Sequence, residues 1–209
     1  SIVSYTGTGA AGTVAHGLGA APEWILIKNR DVNDEWYVYY GDNTDYLVLD
    51  DTDATADNAT AFNDTSPTAT VFTVNTSHSV NADGEKYIAY CFRSIEGHSK
   101  LGQYEGNNNA NGTFVNTGFR PSLVVVKDID STGEWRLQSS KMTTFNNDDV
   151  NVLVWNASTA EYSADRDDLD LDFLANGFKH RSTYSQVNAA RTYVYFAFAE
   201  TPFKYSNAR

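Results

Sequence analysis

Cysteine, proline, methionine and long apolar runs are all scarce in this chain of 209 residues, which holds one Cys, four Pro and one Met. A single thiol, Cys91, rules out an internal disulfide framework. Within the apolar run Tyr87 to Phe92 it reads as a small buried hydrophobe. The apolar stretches fall far short of the roughly 20 residues a membrane helix needs, and the N-terminus carries neither a basic segment nor an apolar signal core, so membrane insertion is not expected. The sequence starts at Ser1 and its only Met is Met142, so its N-terminus reads as processed or as the cut end of a longer product. Positive charge is scarce too. Fifteen Lys and Arg face 27 Asp and Glu, for a net charge of -12 and a pI near 4.6. A nucleic-acid groove or an anionic membrane surface would work against that field, and neither partner is expected.

What the chain does have is aromatic surface: 13 Tyr, 11 Phe and 4 Trp in a composition that is 41% apolar, enough for a packed core. Helical periodicity is missing, whereas short β-branched and aromatic runs bounded by Gly, Asn, Asp and Thr recur along the whole length. The pattern is all-β. Strands are expected at Trp24 to Lys28, Trp36 to Tyr40, Tyr46 to Leu49, Thr70 to Val74 and Tyr87 to Phe92. Further on they are expected at Leu123 to Lys127, Glu134 to Gln138, Val150 to Trp155, Asp170 to Leu174 and Thr192 to Phe198. Turn chemistry separates them at Asp83-Gly84, Asn111-Gly112 and Asn176-Gly177. Thr52 to Phe62 and Tyr162 to Asp167 are the two stretches that could form short helices.

The most informative feature is internal similarity. Tyr5, Pro22, Lys28 and Trp36 recur 99 residues later as Tyr104, Pro121, Lys127 and Trp135, and the run Tyr87 to Phe92 recurs 106 residues later as Tyr193 to Phe198. A unit of about 100 residues suits a small β-sandwich. The expected architecture is therefore two tandem, similar antiparallel β-sandwich repeats of jelly-roll type, 1–98 and 99–209. The polar but not flexible connection Ser94 to Gly102 leads us to expect them to pack together.

The side chains that could carry chemistry also have plainer roles open to them. His16, His78, His98 and His180 lack metal-ligand spacing, and no nucleophile elbow or phosphate loop accompanies them, so a turn role fits His16 and His98 best. No catalytic, cofactor-binding or metal residue is assigned, and the chain is not expected to be an enzyme. The densest acidic run, Asp165 to Asp172, would place Asp168, Asp170 and Asp172 on one strand face and Leu169, Leu171 and Phe173 on the other, which explains the acids without a ligand. Ca2+ is the one cofactor this run brings into view, although the EF-hand spacing with its central Gly is missing. Trp36 and Trp135 sit at matching repeat positions and read as core anchors. Trp24 and Trp155 are not duplicated, which makes them the candidate ligand-contact residues.

One resemblance spans essentially the whole chain. It lies in dispersed positions that include Tyr5-Thr6-Gly7, His16-Gly17-Leu18-Gly19, Pro22 to Lys28, Tyr87 to Phe92, Tyr104 to Asn107, Thr117 to Pro121, Asn176 to Lys179 and Ala197 to Lys204. This frame resembles a module of structural proteins in tailed bacteriophages, common in marine and cyanobacterial phages, where it forms part of tail-fibre-like or other virion-surface proteins. The resemblance implies a non-enzymatic virion component at the particle surface, with other virion proteins and further copies of itself as partners and host-surface glycans as adhesion targets. It brings no catalytic or binding residues. A carbohydrate-binding, lectin-like module is the alternative that the same scaffold would suit.

Overall fold

The computed structural model describes residues 1–142, 151–163 and 169–202. The protein is all-β, with antiparallel sheets and, among the described residues, three single-turn helices. It divides into two compact units, Ser1–Arg93 and Ser94–Arg209. The division falls five residues before the His98/Ser99 boundary suggested by the repeat. The Ser94–His98 turn is tied forward, through Ser94 Oγ accepting from Leu101 N and an Ile95–Ser99 bridge.

The first unit runs β1 (Ile2–Thr6), β2 (Gly12–Ala15), β3 (Trp24–Asn29), β4 (Trp36–Tyr39), β5 (Asp45–Val48), β6 (Ala56–Asp57), α1 (Ala59–Phe62), β7 (Val71–Val74), α2 (His78–Asn81) and β8 (Lys86–Phe92). Its large sheet has the order β1-β8-β3-β4-β5-β6, and β2 pairs with β7 in a small one. Every second residue of β3, β4 and β8 faces one core: Ile25 and Ile27, Tyr37 and Tyr39, and Tyr87, Ala89 and Cys91. Phe62 of α1, Phe72 and Val74 of β7 and Val80 of α2 cover them. Burial pushes the Cys91 thiol up to about 11, so it stays a neutral apolar filler. The helix expected over Thr52 to Phe62 is confined to the single turn α1. Thr and Asp disfavour a helical start, and Asn58 caps the turn by accepting from Thr60 N while Asn63 closes it in the left-handed region.

The second unit runs β9 (Ser99–Glu105), β10 (Phe114–Asn116), β11 (Pro121–Asp128), β12 (Arg136–Ser139), β13 (Asn151–Val154), β14 (Tyr162–Ser163), β15 (Leu171–Leu174), β16 (Gly177–His180), α3 (Ser185–Asn188) and β17 (Thr192–Ala199). Its large sheet reads β9-β17-β11-β12-β13-β14 and its small one β10-β16-β15. The large-sheet order of the first unit therefore recurs strand for strand. The register recurs as well: Ile27 pairs with Tyr37 in the first unit and Val126 with Arg136 in the second, each pair one residue from its tryptophan. Tyr162 and Ser163, expected to open a short helix, instead pair with β13 as a strand, and the rest of that stretch lies outside the described residues. Leu169, Leu171 and Phe173 are buried, while Asp170 and Asp172 are half-exposed, as a two-residue alternation requires. Asp165 to Asp168 lie outside the described residues.

One hydrogen-bonded lock is built twice. Tyr5 Oη donates to Val80 O and Tyr104 Oη to Val187 O, each at 2.6 Å. Tyr87 Oη accepts from Ala82 N and donates to His78 O, and Tyr193 Oη does the same with Ala189 N and Ser185 O. Each tyrosine pair stacks with centroids 5.1 Å apart. Buried Asn81 accepts from Thr8 N and donates to Ala10 O and Asn75 O. Asn188 likewise accepts from Asn107 N and donates to Asn109 O and Ser182 O. Buried amide groups bonded in this way pin the loop after β1 or β9 to the helical turn. The approach is so close that a Cβ on Gly7 would lie 2.0 Å from Ala82 O, and one on Gly106 2.0 Å from Ala189 O.

Candidate functional site

Each unit carries a cleft at the free edge of its large sheet. In the first unit, Ser1 and Cys91 exchange N–H···O bonds at 2.8 Å and Gly7 N donates to Glu85 O. The antiparallel alternation then turns the main-chain groups of Ile2, Ser4 and Thr6 away from β8, toward the open edge. The strand β2 begins after the loop that the lock holds in place. A cleft of about 340 Å³ lies between β1 and β2, lined by Val3, Tyr5, Val14 and Val74 inside and by Thr8 and Thr13 among its polar residues. At the end of β2, His16 is buried, with Nδ1 accepting from Leu18 N and Nε2 facing Thr68 O. Because a carbonyl only accepts, the ring is fixed as the Nε2–H tautomer, a turn histidine bonded to backbone.

In the second unit a cleft of about 380 Å³ lies where β9 starts and β10 ends, lined by Ser94, Ile95, Glu96, Lys100, Asn116 and Thr117 among others. Its walls are turn backbone and polar side chains, with Ile95 as the one large apolar side chain. Asn116 Oδ1 accepts from Gly118 N at 2.9 Å and Thr117 Oγ1 donates to Phe119 O at 2.6 Å, so both turn residues are held in place. Gly118 takes φ 81, a left-handed value that suits glycine.

Elsewhere, burial and hydrogen bonds shift several of the described titratable groups. Burial lowers the His180 imidazole to about 3, with only a partial offset from the Asp170 backbone, and the ring lies between Tyr104 and Phe178. Burial raises Tyr87 and Tyr193 to about 12 and Tyr5 and Tyr104 further still, so every phenol of the lock keeps its proton. Burial pushes the Asp34 carboxyl up, but hydrogen bonds from His78, Glu35 N and Ser79 outweigh it and hold Asp34 low. His78 is raised in turn by the Asp34 carboxylate. Among the described residues no three His, Cys, Asp or Glu side chains converge to hold a metal ion.

The two candidate ligand-contact tryptophans lie in different units and differ in access. Trp24 opens β3 and is 3% exposed, so its ring offers no platform to solvent. Trp155 follows β13, is 40% exposed, and donates its backbone N–H to Trp135 O. Sequence reasoning missed the lock asparagines and the Lys100 cleft. The asparagines had a signal, since Val80-Asn81-Ala82 recurs as Val187-Asn188-Ala189. The cleft had none, because its residues become neighbours only through sheet pairing.

Fold and sites define an all-β protein of two units with one large-sheet order and a cleft at a sheet edge in each. Over residues 1–202 the chain matches, and belongs to, the family described as a domain of unknown function, DUF7483. No curated protein and no solved structure matches it.

Proposed function

We propose that this protein is a non-enzymatic component of a bacteriophage virion, a tail-fibre or capsid-surface module of two β-sandwich-like repeats that presents surface for host adhesion. Its partners are other virion proteins, further copies of itself and host-surface glycans. The observation that carries this reading is the repeated frame of Tyr-x-Gly, Pro, Trp and late aromatic strand that resembles phage structural proteins. The doubly built lock supports it, because rigid duplicated units hold their loops in fixed positions for display. Several weak sites on one particle raise avidity by about 10²–10⁴ without new contacts, so no single deep pocket is needed. Labelling intact particles with an antibody against this chain is expected to decorate the tail or the capsid surface. Label absent from particles overturns the assignment.

A second reading, a carbohydrate-binding module acting apart from any virion, is favoured by the exposed Trp155 ring and the polar cleft of the second unit. Aromatic faces stack on the C–H face of sugars, and polar loops bond the hydroxyls. Tight binding of one glycan by the isolated monomer would select this reading over the multivalent one.

A further inference from the structure

We infer that the cleft formed by the Ser94–Gly97 turn, the start of β9 and the Asn116–Gly118 turn binds a carboxylated pyranose, with Lys100 taking the carboxylate. The inference rests on the adhesion reading only for the origin of the ligand. Among the described cations of the second unit, Lys100 is the one that lines this cleft. Arg120, Arg136, Lys141, Arg181 and Arg191 each pair with a carboxylate. Lys100 lines the cleft, and its ammonium makes no hydrogen bond or ion pair with any described residue. In a chain of net charge -12, an unpaired ammonium at a cleft is a local point of attraction for an anion.

The remaining lining suits a sugar ring. About 380 Å³ lies within the range of small-ligand sites and suits one or two pyranose rings. Asn116 has its Oδ1 held by Gly118 N, and its Nδ2 has no partner among the described residues, which leaves a donor for a ring hydroxyl. Ile95, 38% exposed, supplies the one large apolar side chain, a small patch for the C–H face of the ring. A purely apolar ligand would leave these polar groups desolvated and unpaired.

The test follows backbone amide NMR shifts of the full chain during titration with galacturonic acid, galactose and acetate. Galacturonate is expected to shift the amides of residues 94–100 and 116–118, with galactose and acetate each at least about tenfold weaker, the size of one charge-assisted hydrogen bond. Lys100→Met should bring galacturonate down about tenfold, to the level of galactose, with unchanged melting. Asn116→Ala should weaken both sugars together. Equal binding of galactose and galacturonate, shifts confined to other loops, absence of binding, or a Lys100→Met variant that binds as before would each overturn the assignment. Multivalent display on beads against host cells separates the two ideas. Adhesion that survives Lys100→Met removes the cleft and leaves the adhesion reading standing, whereas galacturonate binding without adhesion does the reverse.

Discussion

The two units solve one geometric problem with opposite charge. At the end of β3, Asn29 Oδ1 accepts from Asp31 N and Val32 N, while its Nδ2 donates to Glu85. At the end of β11, Asp128 Oδ1 accepts from Asp130 N and Ser131 N, while its Oδ2 accepts from Arg191 at 3.1 Å. The turn needs an acceptor of fixed position. Whether the acceptor is an amide or a carboxylate decides only the sign required of the partner immediately before β8 or β17. Asp128 is fully buried, so its charge must be matched, whereas the neutral Asn29 amide lets a carboxylate serve instead. The tryptophans differ likewise. Trp36 and Trp135 hold the same backbone place, their N–H groups donating to Asp50 and Asn156 at 2.8 Å. Trp135 is fully buried, but Trp36 is half-buried, stacking on Tyr90 with the Lys28 ammonium 6.0 Å from its ring. A repeated position therefore fixes the backbone role of a residue and leaves its environment free to differ.

The sharpest break between the units is expected at the tryptophans. Trp135→Ala should cost about 3–5 kcal/mol through the cavity left behind, and Trp36→Ala about 1–2 kcal/mol, since part of its ring already meets water. Urea unfolding read by tyrosine fluorescence and far-UV dichroism would measure both, and equal losses would erase the distinction. Next comes the charge swap. Asp128→Ala strands the Arg191 partner and two turn N–H groups and should cost about 3 kcal/mol. The double change Asp128→Asn with Arg191→Glu copies the first unit's solution and should recover most of the loss of Arg191→Glu alone. A double-mutant cycle with no coupling would show that the two pairs are not equivalent.

The lock should be symmetric where the turns are not. Asn81→Ala and Asn188→Ala each remove one acceptor and an amide group that donates to two backbone carbonyls, and should cost about 2–3 kcal/mol apiece. Unequal losses would mean that one unit holds its loop by other means. The smallest effect, per unit of pH, belongs to the second unit alone. His180 falls from 6.5 to about 3 on burial, so between those values the unfolded chain binds a proton that the folded unit refuses. The stability this provides is whole above the unfolded value and is lost as pH falls toward the folded one, by about 1.4 kcal/mol per pH unit. His180→Phe should remove that slope from a pH series of urea midpoints, and an unchanged slope would assign it to carboxylates instead.

Ten strands were legible in the sequence because their β-branched and aromatic residues are core residues, as at Trp24 to Lys28 and Thr192 to Phe198. The edge strands β1 and β9 were not. Ser99-Lys100-Leu101-Gly102-Gln103-Tyr104-Glu105 buries only alternate side chains, and its polar half looks like loop until a partner strand supplies the hydrogen bonds. The candidate site followed the same division: Trp155 could be singled out as an unduplicated aromatic, but nothing local separated it from Trp24, which is buried in the folded unit.

Sequence by itself determined the all-β class, the spacing of the repeated frame and the buried, unpaired state of Cys91, because those depend on periodicity and residue type, which are local. Tertiary structure decided which repeated residues stay buried, which asparagines lock the loops, and that Lys100 and Asn116 share a cleft. Those depend on pairings between segments far apart in the chain, whose geometry is set only when the sheet forms.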